Sequence, residues 1–395
     1  MSISHFISNL SQRQINLIRT LFIPLEYLII ILDFFYPKND KLIIFGSNTG
    51  EYASGSPNAM YQYIKKYHPE YRVSYYLPFS EKSGLKEQLG YMLRFIPKFL
   101  NAKFLISSHP TTDFFPLGWS KRKTLINVWH GVPLKSLFYA DPGDNESNLK
   151  KIRKMVHRTS IFTVSSKLES ALISECMLMD PRKIRVTGHP RNDALINKKD
   201  VPGKEKIHKI LKDTPRDVKI ILYAPTFRRG DETRFFPFPD FDQDDLNQFL
   251  KDNNSIILIR GHVYNQLDES TDIFTDRIID FGFDVCNDVN SILGEVDVLI
   301  TDYSSIYIDY LILNRPCIFI PYDLEDYKKG RGLLLDDYDF WAPGDKTLNY
   351  QEFINSLRRI MDDEDPYRER REEIANQFHY YTDAESCERL LKLIK

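Results

Sequence analysis

The chain is 395 residues long, 42% apolar and 27% charged, with a formal net charge of −2. That is enough chain for two domains and an ordinary globular composition, which excludes a disordered protein; the near-neutral charge excludes one that coats nucleic acid through a basic excess. Cys176, Cys286, Cys317 and Cys387 lie far apart with no Cys-x-x-Cys pair, so neither a zinc site nor a disulfide framework is expected, and a reducing setting fits.

The first element spans Leu17 to Tyr36. Pro24, Glu26 and Asp33 interrupt it, and its clean apolar run, Tyr27 to Leu32, falls far short of the ~20 residues needed to cross a bilayer. No small-residue cleavage site follows, so a removable leader is not expected. Gln12, Arg19, Glu26 and Asp33 recur every seven residues on one helical stripe, with Leu, Ile and Phe around the rest. Residues 1–38 are therefore expected to form an amphipathic, membrane-associating segment, with packing on the protein's own body as the alternative. A second segment, Gly84 to Lys103, sets Leu85, Leu89, Met92, Phe95, Ile96 and Phe99 at helical spacing among Lys82, Lys86, Arg94, Lys98 and Lys103. Such a basic amphipathic helix suits an anionic lipid surface; a half-buried helix with solvated lysines is the alternative.

Short β-rich runs then alternate with helix-length segments. Lys41–Phe45, Arg72–Leu77, Phe104–Ser107, Thr124–Trp129 and Ile161–Val164 are the strands expected in the first half, followed by the short apolar run Ile184–Val186. Lys219–Tyr223, Ser255–Ile259, Ile278–Phe281, Val296–Thr301 and Pro316–Ile320 are those of the second half. The alternation predicts parallel sheets with helices on both faces. Between the halves, Asn197 to Arg216 is rich in Lys, Asp, Pro and Gly, which marks an inter-domain joint. The expected division is a domain over 39–200, a domain over 201–370 and a C-terminal helix over 371–395 that folds back on the first.

In open α/β sheets ligands bind beyond the carboxyl ends of the strands, and the polar motifs fall there. Thr124–Trp129 runs into His130-Gly131-Val132-Pro133-Leu134-Lys135, and Ile184–Val186 into Gly188-His189-Pro190-Arg191-Asn192-Asp193. Lys219–Tyr223 ends in Ala224-Pro225-Thr226-Phe227-Arg228, Ser255–Ile259 in Arg260-Gly261-His262, and Val296–Thr301 in Asp302-Tyr303-Ser304-Ser305. Histidines, arginines, a lysine and hydroxyls at strand ends form an anion-binding set, with Ser304 or Ser305 as the natural cap of the helix that follows. An unliganded, capped βα junction is the alternative for the last of these.

This ordered set, from Trp129–Lys135 through Gly188–Asp193, Tyr223–Arg228 and Arg260–His262 to Thr301–Tyr310, resembles the CDP-glycerol glycerophosphotransferase family, the teichoic-acid primases and polymerases of bacterial cell-wall synthesis. The likeness covers roughly residues 40–395. It implies a GT-B fold, two facing Rossmann-like domains, attached peripherally to the cytoplasmic face of the membrane. It implies further that glycerol phosphate passes from CDP-glycerol to a lipid-linked disaccharide or glycerophosphate-chain acceptor. His130 matches the family's motif histidine and is expected to be the general base, and His262, with Arg260, is expected to be a second catalytic group at the donor diphosphate in the C-terminal domain. Gly131, Lys135, His189, Arg191, Thr226, Arg228, Arg260, Asp302, Ser304 and Ser305 are expected to bind substrate, although salt bridging competes for the arginines and an inter-domain structural role for His189 and Arg191.

No metal and no cofactor are expected, because Asp240-Phe241-Asp242 and Asp337-Tyr338-Asp339 lie in loops rather than at strand ends. Trp341-Ala342-Pro343-Gly344-Asp345 and Asp383-Ala384 depart from the family pattern and leave ribitol phosphate open as the transferred group. A nucleotide-sugar transferase of the same fold and a non-enzymatic membrane-bound module are the other classes in view. The short chain leans toward a primase or short-chain type. Oligomeric state is left open, and no nucleic-acid partner is expected.

Overall fold

The computed structural model describes residues 12–47, 50–78, 85–197, 205–211, 217–226, 228, 234–261 and 273–394. His262 therefore lies outside the described residues, as do Phe227, Lys82 and the breakers Pro202-Gly203 and Thr214-Pro215. Twelve strands are described: β1 Asn39–Gly46, β2 Arg72–Tyr75, β3 Ala102–Ser107, β4 Thr124–Asn127, β5 Ile161–Val164, β6 Ile184–Val186, β7 Lys219–Tyr223, β8 Ser255–Ile259, β9 Ile278–Asp280, β10 Val298–Thr301, β11 Cys317–Phe319 and β12 Asp345–Lys346. They form two six-stranded sheets, ordered β2-β1-β3-β4-β5-β6 and β12-β11-β10-β7-β8-β9, with every neighbouring pair parallel.

These runs become strands because Ile, Leu, Val and Phe fill consecutive positions and both sheet faces are covered. All five residues of β8 are buried, the signature of a parallel central strand. The strand order reverses between β1 and β3 in one sheet and between β7 and β10 in the other. Such switch points splay the connecting loops apart and open a crevice beyond the strand ends. The two parallel α/β sheets agree with the two Rossmann-like domains expected from the motifs.

Several strand ends shift by one to two residues from expectation, and one end and one unexpected strand have a plain physical reason. β4 stops at Asn127 rather than Trp129, because Trp129 adopts a left-handed φ of 47° and its N–H is taken by the Asn127 side chain at 2.9 Å. β12, two residues at a sheet edge, is too short to show a hydrophobic period.

The chain divides into two compact units, residues 1–130, 144–193 and 383–395 in the first and 131–143 with 194–382 in the second. The closing helix Ser386–Lys392 belongs to the first. Its leading amides, Ser386 N and Cys387 N, donate to the Asp193 carboxylate at 3.0 and 2.9 Å, a cap supplied from nearly 200 residues away. Arg389 donates to the Thr187 carbonyl at 2.8 Å, and Leu390 and Leu391 fill the core beside Met60 and Ile64. The preceding helix Arg368–Phe378 belongs to the second unit, where buried Arg371 holds Asp365 and Asn314.

The helix Gln12–Phe35 packs in the opposite sense to an ordinary surface helix. Its described carboxylates face the protein. Glu26 binds Lys154 at 2.9 Å and Arg158 at 2.6 Å, and Gly118 admits the helix, since a Cβ there would stand 2.7 Å from the Glu26 carbonyl. Asp33 is fully buried and accepts from Ser120 N and Oγ at 2.9 and 2.7 Å while pairing with Lys38 and Lys123, each at 2.9 Å. Burial alone would raise the Asp33 pKa, but Lys123 and the Ser120 donors outweigh it and hold the carboxylate below its ordinary range. Leu21, Tyr27, Leu28, Ile31 and Phe35 turn outward, Phe35 with 76% of its surface exposed. Among the described residues no helix is long and apolar enough to cross a membrane.

The second amphipathic segment corrects its reading. In the helix Leu85–Asn101, Met92, Phe95 and Phe99 are buried in the core with Ile29 and Leu105 and Ile96 packs against them, so most of the face read as lipid-binding packs on the protein, while Leu89 stays exposed.

Asp33→Ala strands Lys123 and Ser120 in the interior without their partner. The expected result is a stability loss of about 3–5 kcal/mol in denaturant unfolding, against a smaller loss for Asp33→Asn, which keeps an acceptor oxygen for Ser120.

Candidate active site

In the first unit the site is built at the end of β4. Trp129's left-handed backbone, fixed by Asn127, turns the chain out of the sheet at His130; a non-glycine residue held there is strain of the kind found at functional positions. The Trp129 and His130 rings are 4.0 Å apart, and His109, at the end of neighbouring β3, stacks on His130 at 4.1 Å. His130 is solvent-exposed, yet the protein crowding around it, followed by His109 and Arg191, pulls its pKa well below 6.5, and a hydrogen bond from the ring to the Ser108 backbone only partly opposes this. The result is a neutral imidazole with one nitrogen bonded to Ser108 and no partner for the other among the described residues, the state a general base requires.

The second motif of this unit divides. Arg191, 9% exposed, contributes its field to His130. His189, expected either to contact substrate or to serve the structure, is 1% exposed, and its Nε2 lies 3.1 Å from Glu169, which also accepts from Ser165 N and Oγ at 2.6 and 2.7 Å. A histidine that deep, paired with a buried carboxylate, ties the helix Lys167–Met177 to the end of β6, while its Nδ1 is buried with no partner among the described residues. Gly188 before it has φ 82°, and a Cβ there would meet Ser386 Oγ at 2.3 Å, so only glycine fits.

In the second unit the β7 and β10 ends meet at the switch point. Buried Asp302 accepts from Thr226 N at 2.7 Å, Tyr303 N at 2.5 Å and Arg228 Nη1 at 2.9 Å. Arg228 is also forked onto Asp323 at 2.7 and 2.9 Å and donates to the Thr226 carbonyl at 2.7 Å. Tyr303, Tyr322 and Tyr327 surround its guanidinium at 5.2–5.3 Å. Arg228, expected to fork a phosphate, is thus neutralised by two carboxylates and braces the turn. Asp302, expected to contact substrate, has both oxygens occupied by the scaffold. Arg260 donates to the Cys286 carbonyl at 2.6 Å and holds the loop after β9.

What the bracing leaves over is the serine pair. Ser305 takes the N-cap position of the helix Ile306–Tyr310 without a side-chain cap bond, so the expected cap is positional only. Gly131 sits against it, a Cβ there falling 3.1 Å from Ser305 Oγ. The segment that begins at Gly131 pairs antiparallel with 332–334, through Ser136 N to the Gly332 carbonyl at 3.1 Å and Leu334 N to the Leu134 carbonyl at 2.9 Å. Burial pulls the Lys135 ammonium down to about 8, Asp302 opposing and Arg331 and Arg228 reinforcing the shift. Arg331 escaped the sequence reading, and its Nε is buried with no partner among the described residues, as is Thr226 Oγ1. The one local signal for it was Gly332, whose φ of 80° follows a basic run; its proximity to Lys135 is a tertiary fact.

Two parallel α/β units, each with polar side chains gathered beyond the ends of its strands, define a Rossmann-type, two-domain architecture. The family model described as CDP-Glycerol:Poly(glycerophosphate) glycerophosphotransferase matches residues 28–395, and the chain belongs to that family. It is 30% identical over 355 residues to the teichoic acid poly(glycerol phosphate) polymerase of Bacillus subtilis (strain 168), covering 82% of this chain but 44% of that longer protein. To the teichoic acid glycerol-phosphate transferase of Staphylococcus aureus (strain NCTC 8325 / PS 47) it is 28% identical over 377 residues, 90% of this chain and 93% of the relative. Among solved structures it is similar to the wall teichoic acid polymerase TagF, with a TM-score of 0.72 at 27% identity over 90% of this chain and 89% of the other. A UDP-N-acetylglucosamine 2-epimerase structure from Listeria monocytogenes shares the fold alone, at TM-score 0.52 and 14% identity over 90% of this chain and 95% of that one.

Because the Lys135 ammonium loses its proton near pH 8, a role in holding substrate phosphate predicts that kcat/KM falls as pH rises through about 8. Lys135→Arg, whose guanidinium stays charged, should shift that limb to higher pH.

Proposed function

We propose that this chain transfers glycerol phosphate from CDP-glycerol to a hydroxyl of a lipid-linked acceptor, a disaccharide or a growing glycerophosphate chain, in teichoic-acid synthesis. The observation that carries the proposal is His130, held neutral on a strained strand end, with one ring nitrogen on Ser108 and the other without a partner among the described residues. Membership of the family supports the donor, as does the TagF variant solved after a soak with CDPG. In the proposed reaction the acceptor oxygen attacks the β-phosphorus in line, His130 takes the hydroxyl proton, and the bond from that phosphorus to the bridging oxygen breaks to release CMP. Lys135, Arg331 and the hydroxyls of Ser304 and Ser305 meet the diphosphate charge, and Thr226 Oγ1 is a further donor. Protein cations supply the neutralisation in this scheme, so chelators leave turnover unchanged. His262 keeps its proposed place beside the diphosphate on the family resemblance alone. Glycerol is preferred to ribitol on the family description, although ribitol-phosphate polymerases are also among the relatives.

CMP release measured with CDP-glycerol tests the reading. His130→Ala should lower kcat on the order of 100- to 10,000-fold with the fold intact, and the acid limb of wild-type kcat/KM should lie below pH 6.5, the ordinary histidine value. Release from a nucleotide sugar but not from CDP-glycerol would sink the proposal in favour of a sugar transferase.

The same proposal puts the protein at the cytoplasmic face of the membrane, peripherally, with the helix Gln12–Phe35 as the contact. Its carboxylates are spent inward while Leu21, Tyr27, Leu28, Ile31 and Phe35 face out, which suits insertion into the headgroup boundary. Flotation with anionic liposomes should be lost when Leu28, Ile31 and Phe35 are changed together to Ser. Unchanged flotation would assign the outward face to something other than lipid.

A further inference from the structure

Ser107, Ser108 and His109 close β3 at the first sheet's switch point, where β1 and β3 part. The His109 ring lies over that of His130 with planes 8° from parallel and centroids 4.1 Å apart, and the Trp129 ring, 4.0 Å from His130 and 6.2 Å from His109, lies at the flank of the stack. The backbone beneath His109 is fixed by fully buried Asp113, whose Oδ2 accepts from His109 N at 2.8 Å and from Ser107 Oγ at 2.6 Å. Ser108 Oγ lies 3.0 Å from His109 Nδ1, and the Ser108 backbone engages the His130 ring. One tripeptide thus grips the proposed base through a ring face and a backbone group.

We infer that His109 is a positioning residue for His130, its imidazole stacked flat on one face of the base and holding it in a single orientation so that the nitrogen not bonded to Ser108 meets the acceptor hydroxyl. Parallel rings at this separation direct no N–H at one another, so His109 relays no proton; it restricts rotation and keeps water off one face. The inference rests on the reading of His130 as base. The charged and titratable groups around the stack are Arg191, which acts on His130, and Asp113, which acts on His109; His109 itself is pushed down by burial, so both rings are neutral together.

The test compares His109→Leu, which keeps bulk without an aromatic face, with His109→Phe, which keeps the face without ring nitrogens, both assayed for CMP release from CDP-glycerol. His109→Leu should lower kcat about 10- to 100-fold, the range lost when a partner that orients a functional group is removed, with the donor KM within about twofold. His109→Phe should retain kcat within about threefold. In both variants the acid limb of kcat/KM should move to higher pH, since a neighbour that disfavours the His130 cation is gone. Wild-type kcat and acid limb in His109→Leu, equal loss in the two variants, or a change confined to KM would each overturn the inference. His130→Ala distinguishes the two levels: if it stays active the base reading falls, whereas an inactive His130→Ala beside a wild-type His109→Leu removes only the role of His109.

Discussion

The second unit's site depends on one buried carboxylate. Asp302 gathers Thr226 N from the end of β7, Tyr303 N from its own turn and the Arg228 guanidinium, so the two strands that flank the switch point are fastened at their carboxyl ends. A buried carboxylate is costly unless its lone pairs are filled, and here three donors fill them. Asp323, delivered from beyond β11, completes the charge balance around Arg228. With the backbone anchored by these groups, the Ser304 and Ser305 hydroxyls and the Lys135 and Arg331 cations need not serve the fold. Rigid bracing beneath unspent donors is what a preorganised anion site requires.

The first unit shows the same division of labour. Asn127, Ser108 and Asp113 fix the ends of β3 and β4, and His130 stands on that base with one nitrogen lacking a partner among the described residues. The N-terminal helix extends the pattern to the surface: Glu26 and Asp33 are consumed by Lys154, Arg158, Ser120, Lys38 and Lys123, which leaves an apolar stripe facing out. A seven-residue recurrence of polar residues says that they share one side of a helix. Which side meets solvent is decided by partners in other elements.

All the strands but β12 were legible because burial on two faces writes itself as a largely apolar run, and β5, β7 and β8 coincide with such runs. The strand-end motifs were legible for the same reason. What could not be read is how each polar residue is spent. Arg228 meets Asp323, 95 positions later, and His189 meets Glu169 through the fold of a whole helix; no local spacing encodes either pairing, so both looked available to substrate. His109 and Arg331 were passed over because each sits in an unremarkable tetrapeptide and gains meaning only from a neighbour on another strand or loop. The motif Trp129–Lys135 reads as one unit in sequence, yet the division of the chain falls between His130 and Gly131.

The central claim is that the β7–β10 switch point, with its unspent serines and cations, holds the diphosphate of the donor. A crystal structure of the protein soaked with CDP-glycerol tests it most directly. The account predicts the diphosphate within about 3 Å of the Ser304 and Ser305 hydroxyls and of Lys135 Nζ, with the Asp302–Arg228–Asp323 brace unchanged. A diphosphate bound away from this turn, with both hydroxyls still unengaged, would contradict it.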